Sequence, residues 1–190
     1  MESRNIMIVG VGGQGTLLAS KLLGRILLEN GYDVKVSEVH GMSQRGGSVV
    51  TYVRYGEKVY SPIIDKGEAD IIISFELLEA ARWVEYLREG GILLTNTQRI
   101  NPMPVITGAA EYPKSLEQKL AALPIRLDAM DALGLALQAG SAKAVNLVLL
   151  GRLSKYFHFT DEKWQDAIQK SVPAKFLELN QKAFALGAGA

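Results

Sequence analysis

The 190-residue sequence contains no cysteine, and that one absence removes several chemistries together. This chain can supply no disulfide framework, no thiolate nucleophile, no Cys-ligated zinc and no Cys-ligated iron–sulfur cluster. Histidine is nearly as scarce. His40 and His158 stand far apart, and neither lies in a metal-ligand spacing such as H-E-x-x-H. No apolar run approaches the roughly 20 residues that cross a bilayer. The opening Met1-Glu2-Ser3-Arg4-Asn5 leads into a short strand without an apolar signal region. A soluble, cytoplasmic protein is the expectation. Excess charge of one sign is lacking too: Lys and Arg total 21 against 20 Asp and Glu, a net charge of +1. The two signs are interspersed, so no nucleic-acid partner and no membrane surface is expected.

What is present is core material. Hydrophobic residues make up 48% of the chain, enough for one compact unit over residues 1–190. Asn5–Val9 reads as a buried strand, a continuous apolar run ended by glycine. Thr16–Glu29 reads as a helix whose rows Leu18, Leu22, Ile26 and Ala19, Leu23, Leu27 face a core. Asn30-Gly31 stops it. Asp33–Ser37 supplies a second strand, making a β-α-β unit with a right-handed crossover.

Ser48–Tyr55 and Lys58–Ser61 flank a Gly56-Glu57 turn and read as an antiparallel hairpin. Asp70–Ser74, Ile92–Thr95 and Ile125–Leu127 read as further strands, with a helix from about Glu76 to Leu87 after the first of them. Asn101-Pro102-Met103-Pro104 marks an irregular connection. From about residue 129 the chain is helical, with segments near Met130–Gln138, Ala142–Phe157, Asp161–Lys170 and Ala174–Leu186. The fold class is α/β and Rossmann-like: a mostly parallel sheet with an inserted antiparallel hairpin and a helical C-terminal segment.

Two glycine-rich segments carry the chemistry. Gly10-Val11-Gly12-Gly13-Gln14-Gly15 follows the first strand and opens the first helix, which is the setting of a G-x-G-x-x-G turn. There the glycines permit a tight turn, close backbone approach and close helix–strand packing, and the helix N-terminus offers N–H groups to an anion. The same residues also suit a plain strand-to-helix turn. No Lys-Ser/Thr pair comes after Gly15, so this is not an ATP-type phosphate loop.

Glu38 ends the second strand, where an acidic residue would hold a ribose. The segment after it, with His40, Gly41, Ser43, Gln44, Arg45, Gly46 and Gly47, is dense with polar groups and unlike a ribose site. A solvated loop is the ordinary reading of any one of these residues. As a cluster at a strand end they point to a ligand or a subunit interface. Arg45 suits a carboxylate or phosphate, and His40 an acid, base or hydrogen-bond role. No Ser–His–Asp arrangement emerges, and no catalytic residue and no metal ligand is assigned.

The pairing of G-V-G-G-Q-G (Gly10–Gly15) with S-E-V-H-G-M-S-Q-R-G-G-S-V (Ser37–Val49) resembles the gamma-type subunits of 2-oxoacid:ferredoxin oxidoreductases, above all their indolepyruvate branch. The likeness extends through Asp70–Glu76, Asn146–Gly151 and Glu178–Phe184. The resemblance implies a subunit of an enzyme that converts a 2-oxoacid, here indolepyruvate or another arylpyruvate, to an acyl-CoA with reduction of ferredoxin. It implies thiamine diphosphate, Mg and iron–sulfur clusters on a large (alpha) partner subunit, with coenzyme A as cosubstrate and no cofactor held tightly by this chain. The missing cysteines agree with that division of labour, as does the lack of a Gly-Asp-Gly…Asn motif for thiamine diphosphate. Gly12–Gly15 and Glu38–Gly47 are then expected near the partner's cofactor or the entrance for coenzyme A and substrate. The rival readings are a stand-alone nicotinamide- or flavin-dependent small reductase using the same crevice, and a free-standing ligand-sensing module.

Overall fold

Four consecutive residues of the first strand, Ile6 to Val9, are fully buried, and their alternation decides the layering. In the computed structural model, which describes residues 3–38 and 46–190, β1 (Arg4–Val11) sends Ile6 and Ile8 into one hydrophobic cluster and Met7 and Val9 into another. Successive strand side chains point to opposite faces, so this sheet needs a cover on each side.

The chain continues through α1 (Thr16–Glu29), β2 (Asp33–Glu38), β3 (Ser48–Gly56), β4 (Ala69–Ser74), α2 (Leu77–Trp83) and β5 (Leu87–Asn96). It then forms α3 (Met103–Ile106), α4 (Leu116–Ala121), β6 (Arg126–Met130), α5 (Ala132–Ala139), α6 (Val145–Ser154), α7 (Asp161–Ser171) and α8 (Leu177–Gly189). The six strands lie in the order β2-β3-β1-β4-β5-β6. β1, β4, β5 and β6 run parallel, while β3 is antiparallel to both of its neighbours. Helices α1, α5, α6, α7 and α8 pack on the Ile6/Ile8 face, and α2 and α4 on the Met7/Val9 face.

The antiparallel insertion is present, but as a single strand. The hairpin expected from Ser48–Tyr55 with Lys58–Ser61 does not form, and residues 57–68 contain no strand. Pro62 removes a ladder donor from that stretch. The Asp33 carboxylate draws it across the end of β2, accepting from the Val59 amide at 2.9 Å and standing 4.0 Å from the Lys58 ammonium. β3 therefore finds its partners in β1 and β2. The β-α-β unit is there, with β1 and β2 parallel, but β3 lies between them.

Helix boundaries track caps. The Glu76 carboxylate accepts from the Glu79 amide at 2.8 Å and starts α2 one residue later than periodicity alone suggests. α2 is shorter than expected: a 3₁₀ turn over Val84–Tyr86 succeeds it, and Leu87 already belongs to β5. Asp131 caps Gly134 in the same manner, so Met130 stays in β6. The short helices α3 and α4 are not anticipated by the periodicity of the sequence.

The C-terminal helices meet at unusually short range. A Cβ added at Gly187 would stand 1.9 Å from the Val148 carbonyl oxygen, and one at Gly151 2.0 Å from that of Phe184. Backbone therefore packs on backbone where α6 crosses α8. Beside that crossing Trp164 is fully buried, tilted against Phe184 at 5.5 Å and edge-on to Phe157 at 5.9 Å. Among the described residues no helix is long and apolar enough to cross a membrane.

Candidate functional site at the strand ends

Open α/β sheets bind their ligands outside the carboxyl ends of the parallel strands. Here that edge collects the ends of β1, β4, β5 and β6 together with the start of β3, since Val11 pairs with Ser48. The glycine loop rises from β1. Gly13 and Gly15 have φ of +99° and +88°, left-handed values that side chains disfavour, so the turn itself demands two of the glycines. Gly15 is the N-cap of α1, which has no side-chain cap and no acidic residue in its first turn. Its positive dipole end faces the strand ends.

A lattice of side-chain amides ties these ends together. Gln14 accepts from the Val11 amide at 2.8 Å and donates to the Phe75 carbonyl at 3.0 Å. The fully buried Asn96 donates to that carbonyl as well, at 3.1 Å, and its oxygen accepts from the Gln98 and Ala132 amides. The ends of β1, β4 and β5 thus meet at the Phe75 carbonyl oxygen, and the Asn96 amide carries the link on to α5. On the outer side Asn146 reaches the Gly15 carbonyl at 3.4 Å.

Two hollows flank Ile100. One, of about 480 Å³, lies between Gly13–Gly15 and Gln98, Leu133 and Lys143. The N-terminus of α1 and Lys143 both line it, a combination suited to an anionic group. The other, about 200 Å³, is bounded by Gly46–Ser48, Glu76, Glu79 and Met103. Its two acids are 1% and 4% exposed, which requires that they be hydrogen-bonded. Glu76 accepts from the Ile100 amide at 3.0 Å and the Tyr112 hydroxyl at 2.5 Å, besides capping α2. Burial first, and then that bond to Glu76, pushes the Tyr112 phenol well above its ordinary range. Glu79 accepts from Ser48, from Trp83 Nε1 at 3.3 Å and from Arg82 Nε at 3.1 Å.

The two glycine segments meet directly: the Gly12 amide donates to the Gly47 carbonyl at 2.9 Å. Gly10, Gly12, Gly13, Gln14, Gly15, Gly46 and Gly47 are therefore gathered at one place. Glu38 is not among them. It accepts from Ser20 at 2.6 Å on the edge strand β2 and lines a separate open groove of about 810 Å³ with Val36, Lys21 and Lys170. That groove is the larger, but the converging amides, carboxylates and helix terminus are at the strand ends, and the candidate site is placed there. His40, Gly41, Ser43, Gln44 and Arg45 lie outside the described residues.

Sequence reasoning missed Asn96, Gln98, Lys143 and the acid pair. A signal existed for Glu76, a charged residue directly after the buried segment Ile71–Phe75. Glu79 on the next turn of a helix gave none. Among the described residues no group of three His, Cys, Asp or Glu is placed to hold a metal ion.

A sequence profile of the pyruvate ferredoxin/flavodoxin oxidoreductase family matches residues 5–190. The chain is 46% identical to the indolepyruvate oxidoreductase subunit IorB of Thermococcus kodakarensis, over 98% of its own length and 95% of the relative's. The fold matches the crystal structure of the pyruvate oxidoreductase subunit PORC of Thermotoga maritima with a TM-score of 0.73 at 22% identity, covering 100% of this chain and 97% of that one. It also matches the 2-oxoglutarate:ferredoxin oxidoreductase of Magnetococcus marinus, TM-score 0.76 at 17% identity, where all of this chain corresponds to 31% of a longer polypeptide.

Proposed function

The chain belongs to the pyruvate ferredoxin/flavodoxin oxidoreductase family, and from that premise we propose that it is the gamma-type subunit of a 2-oxoacid:ferredoxin oxidoreductase acting on indolepyruvate or another arylpyruvate. The observation that carries this reading is the end-to-end likeness to an indolepyruvate oxidoreductase subunit. The reaction is the coenzyme A-dependent oxidative decarboxylation of the 2-oxoacid: the carboxylate leaves as carbon dioxide, the acyl group passes to the thiol, and the electrons go to ferredoxin. Thiamine diphosphate with magnesium and the iron–sulfur clusters belong to a large alpha subunit. They supply the carbanion-stabilising and electron-carrying chemistry when bound.

This chain's part is to present the strand-end crevice to that partner. Gly12–Gly15 and Lys143 face the entrance for coenzyme A and substrate, where a helix N-terminus and an ammonium favour an anion. Gly46 and Gly47 belong to the same partner-facing edge. By itself the chain is inactive, and it works in the cytoplasm with neither nucleic acid nor membrane as partner.

The alternative is a stand-alone nicotinamide- or flavin-dependent small reductase built on Gly10–Gly15. Two observations weigh against it. The Gly12 amide is engaged by Gly47, and Glu38, on a strand separated from β1 by β3, is engaged by Ser20 of α1. Coexpression with the candidate large subunit, then size-exclusion chromatography and an indolepyruvate-dependent ferredoxin-reduction assay, tests the proposal. A co-eluting complex whose activity requires this chain is expected; full activity of the large subunit alone would refute it. Calorimetry of the isolated chain with NAD(P) and flavins tests the alternative.

A further inference from the structure

We propose that Glu79 is a positioning residue for the strand-end crevice, holding the second glycine segment against the first. The inference rests on the functional reading just given and concerns the same site. Glu79 sits on α2 with its side chain 6% exposed, yet it bonds outward to Ser48, an exposed residue at the first position of β3. The preceding residue, Gly47, carries the carbonyl that takes the Gly12 amide. Glu79, Ser48, Gly47 and Gly12 thus form one chain of contacts from a helix on one face of the sheet to the glycine loop at its edge.

The helix is itself fixed from the other side. Glu76 receives the Glu79 amide, and it also receives the Ile100 amide and the Tyr112 hydroxyl. α2 therefore holds both walls of the crevice, the Ile100 loop through Glu76 and the Gly46–Ser48 segment through Glu79. A carboxylate suits the second task because it is an acceptor on every side. Ser48, Trp83 and Arg82 all aim donors at it, and hydrogen bonds to an ionised acceptor are the strong ones. Arg82 also leaves the buried carboxylate with a counter-charge 3.1 Å away.

The test uses the two-subunit complex carrying Glu79→Leu, Glu79→Gln or Ser48→Ala. Loss of the Ser48 bond raises KM for coenzyme A or for the 2-oxoacid about tenfold, the effect of one charge-assisted hydrogen bond, with kcat within about twofold. Glu79→Gln restores most of the loss, because its amide oxygen still accepts from Ser48 and Trp83 while the exposed Arg82 swings away. Ser48→Ala removes one surface hydroxyl, leaves the fold intact, and reproduces Glu79→Leu. Amide hydrogen exchange of the variants adds a readout independent of turnover: Gly12 exchanges about tenfold faster once its acceptor is loosened. Unchanged KM values in Ser48→Ala, or unchanged Gly12 exchange in both Glu79→Leu and Ser48→Ala, overturn the inference. A wild-type chain that confers no activity on the large subunit counts against the functional reading, while the Gly12 exchange still decides this one.

Discussion

Replacing Gly187 by alanine adds one methyl group where α8 crosses α6, and the structure sets its cost. The new Cβ would lie 1.9 Å from the Val148 carbonyl oxygen, whereas real Cβ atoms essentially never come under 3.0 Å. The obstacle is helix backbone, which has no rotamer to change. The helices must therefore part by about 1 Å along a contact packed to crystal-like density. Val148, Phe184 and Ala183 are almost fully buried in that contact, and separation strips dispersion contacts from each. Overpacking of this kind costs about 1–3 kcal/mol, and a backbone obstacle belongs at the upper end. Alanine returns up to about 1 kcal/mol of helix propensity.

The net is about 2 kcal/mol of destabilisation, which for a chain of this length lowers Tm by about 4–8 °C. Gly24→Ala in α1 is the matched control. Its Cβ would meet only Val36 Cγ2, at 3.8 Å, so the same chemical change raises Tm by about 2–4 °C through propensity alone. Thermal and urea unfolding of the two variants measure the contrast. A Gly187→Ala protein as stable as wild type, or more so, would refute the close backbone crossing of α6 and α8. Gly151→Ala behaves like Gly187→Ala, and the double variant loses less than the sum, because helices already parted admit the second methyl cheaply.

Gln14→Ala strands the Val11 amide and removes one of two donors from the Phe75 carbonyl, costing about 1–3 kcal/mol in urea unfolding; a neutral result would discount the amide lattice. Glu76→Ala removes a helix cap and the acceptor for Ile100 and Tyr112, and loses about 2 kcal/mol or more by the same measurement. The Tyr156 phenol is pushed up to about 12 by burial and then by its hydrogen bond to Asp128. Its pKa is raised on folding, so its contribution is complete below pH about 10, where the unfolded phenol begins to ionise, and is lost as pH rises toward 12. Tyr156→Phe therefore flattens the fall of stability between pH 10 and 12, read from urea midpoints across that range. Trp164 is wholly buried while Trp83 is partly exposed. Trp83→Phe should leave a blue-shifted emission that acrylamide barely quenches, and a red, quenchable spectrum would contradict that placement.

Periodicity made the long elements legible. α1 begins and ends where the Leu18/Leu22/Ile26 and Ala19/Leu23/Leu27 rows and the Asn30-Gly31 stop say it should. The buried strands β1 and β4 stand on their apolar runs. Strand partnership was harder to read, because alternation in Ser48–Gly56 fits an antiparallel neighbour on either side and does not say which. A glycine turn at Gly56 suggested the nearest partner, while Pro62 and the Asp33 carboxylate turned the chain elsewhere. At the site, the glycine loop was legible because φ restrictions act locally. The contacts that hold it were not. Gln14 meets Phe75 and Glu79 meets Ser48 across 61 and 31 residues of chain, and nothing in the local spacing encodes either meeting. The separation of Glu38 from the glycine loop has its origin in the same misread partnership.

The insertion of β3 also bears on how the chain acquires its fold. Through residue 38 the chain holds two strands and a helix, yet β1 and β2 share no hydrogen-bonded ladder. Neither strand has a partner until Ser48–Gly56 arrives, and β1 is paired on both edges only once Ala69–Ser74 has joined it. A chain emerging from the ribosome thus has α1 as its only hydrogen-bonded local element until β3 is synthesised, and an uncapped helix of 14 residues is marginal by itself. Loop closure must precede any gain from the sheet, which is the circumstance that slows folding. The β1-α1-β2 unit, so recognisable as a pattern, is here not an autonomous folding module but two rails waiting for the strand between them.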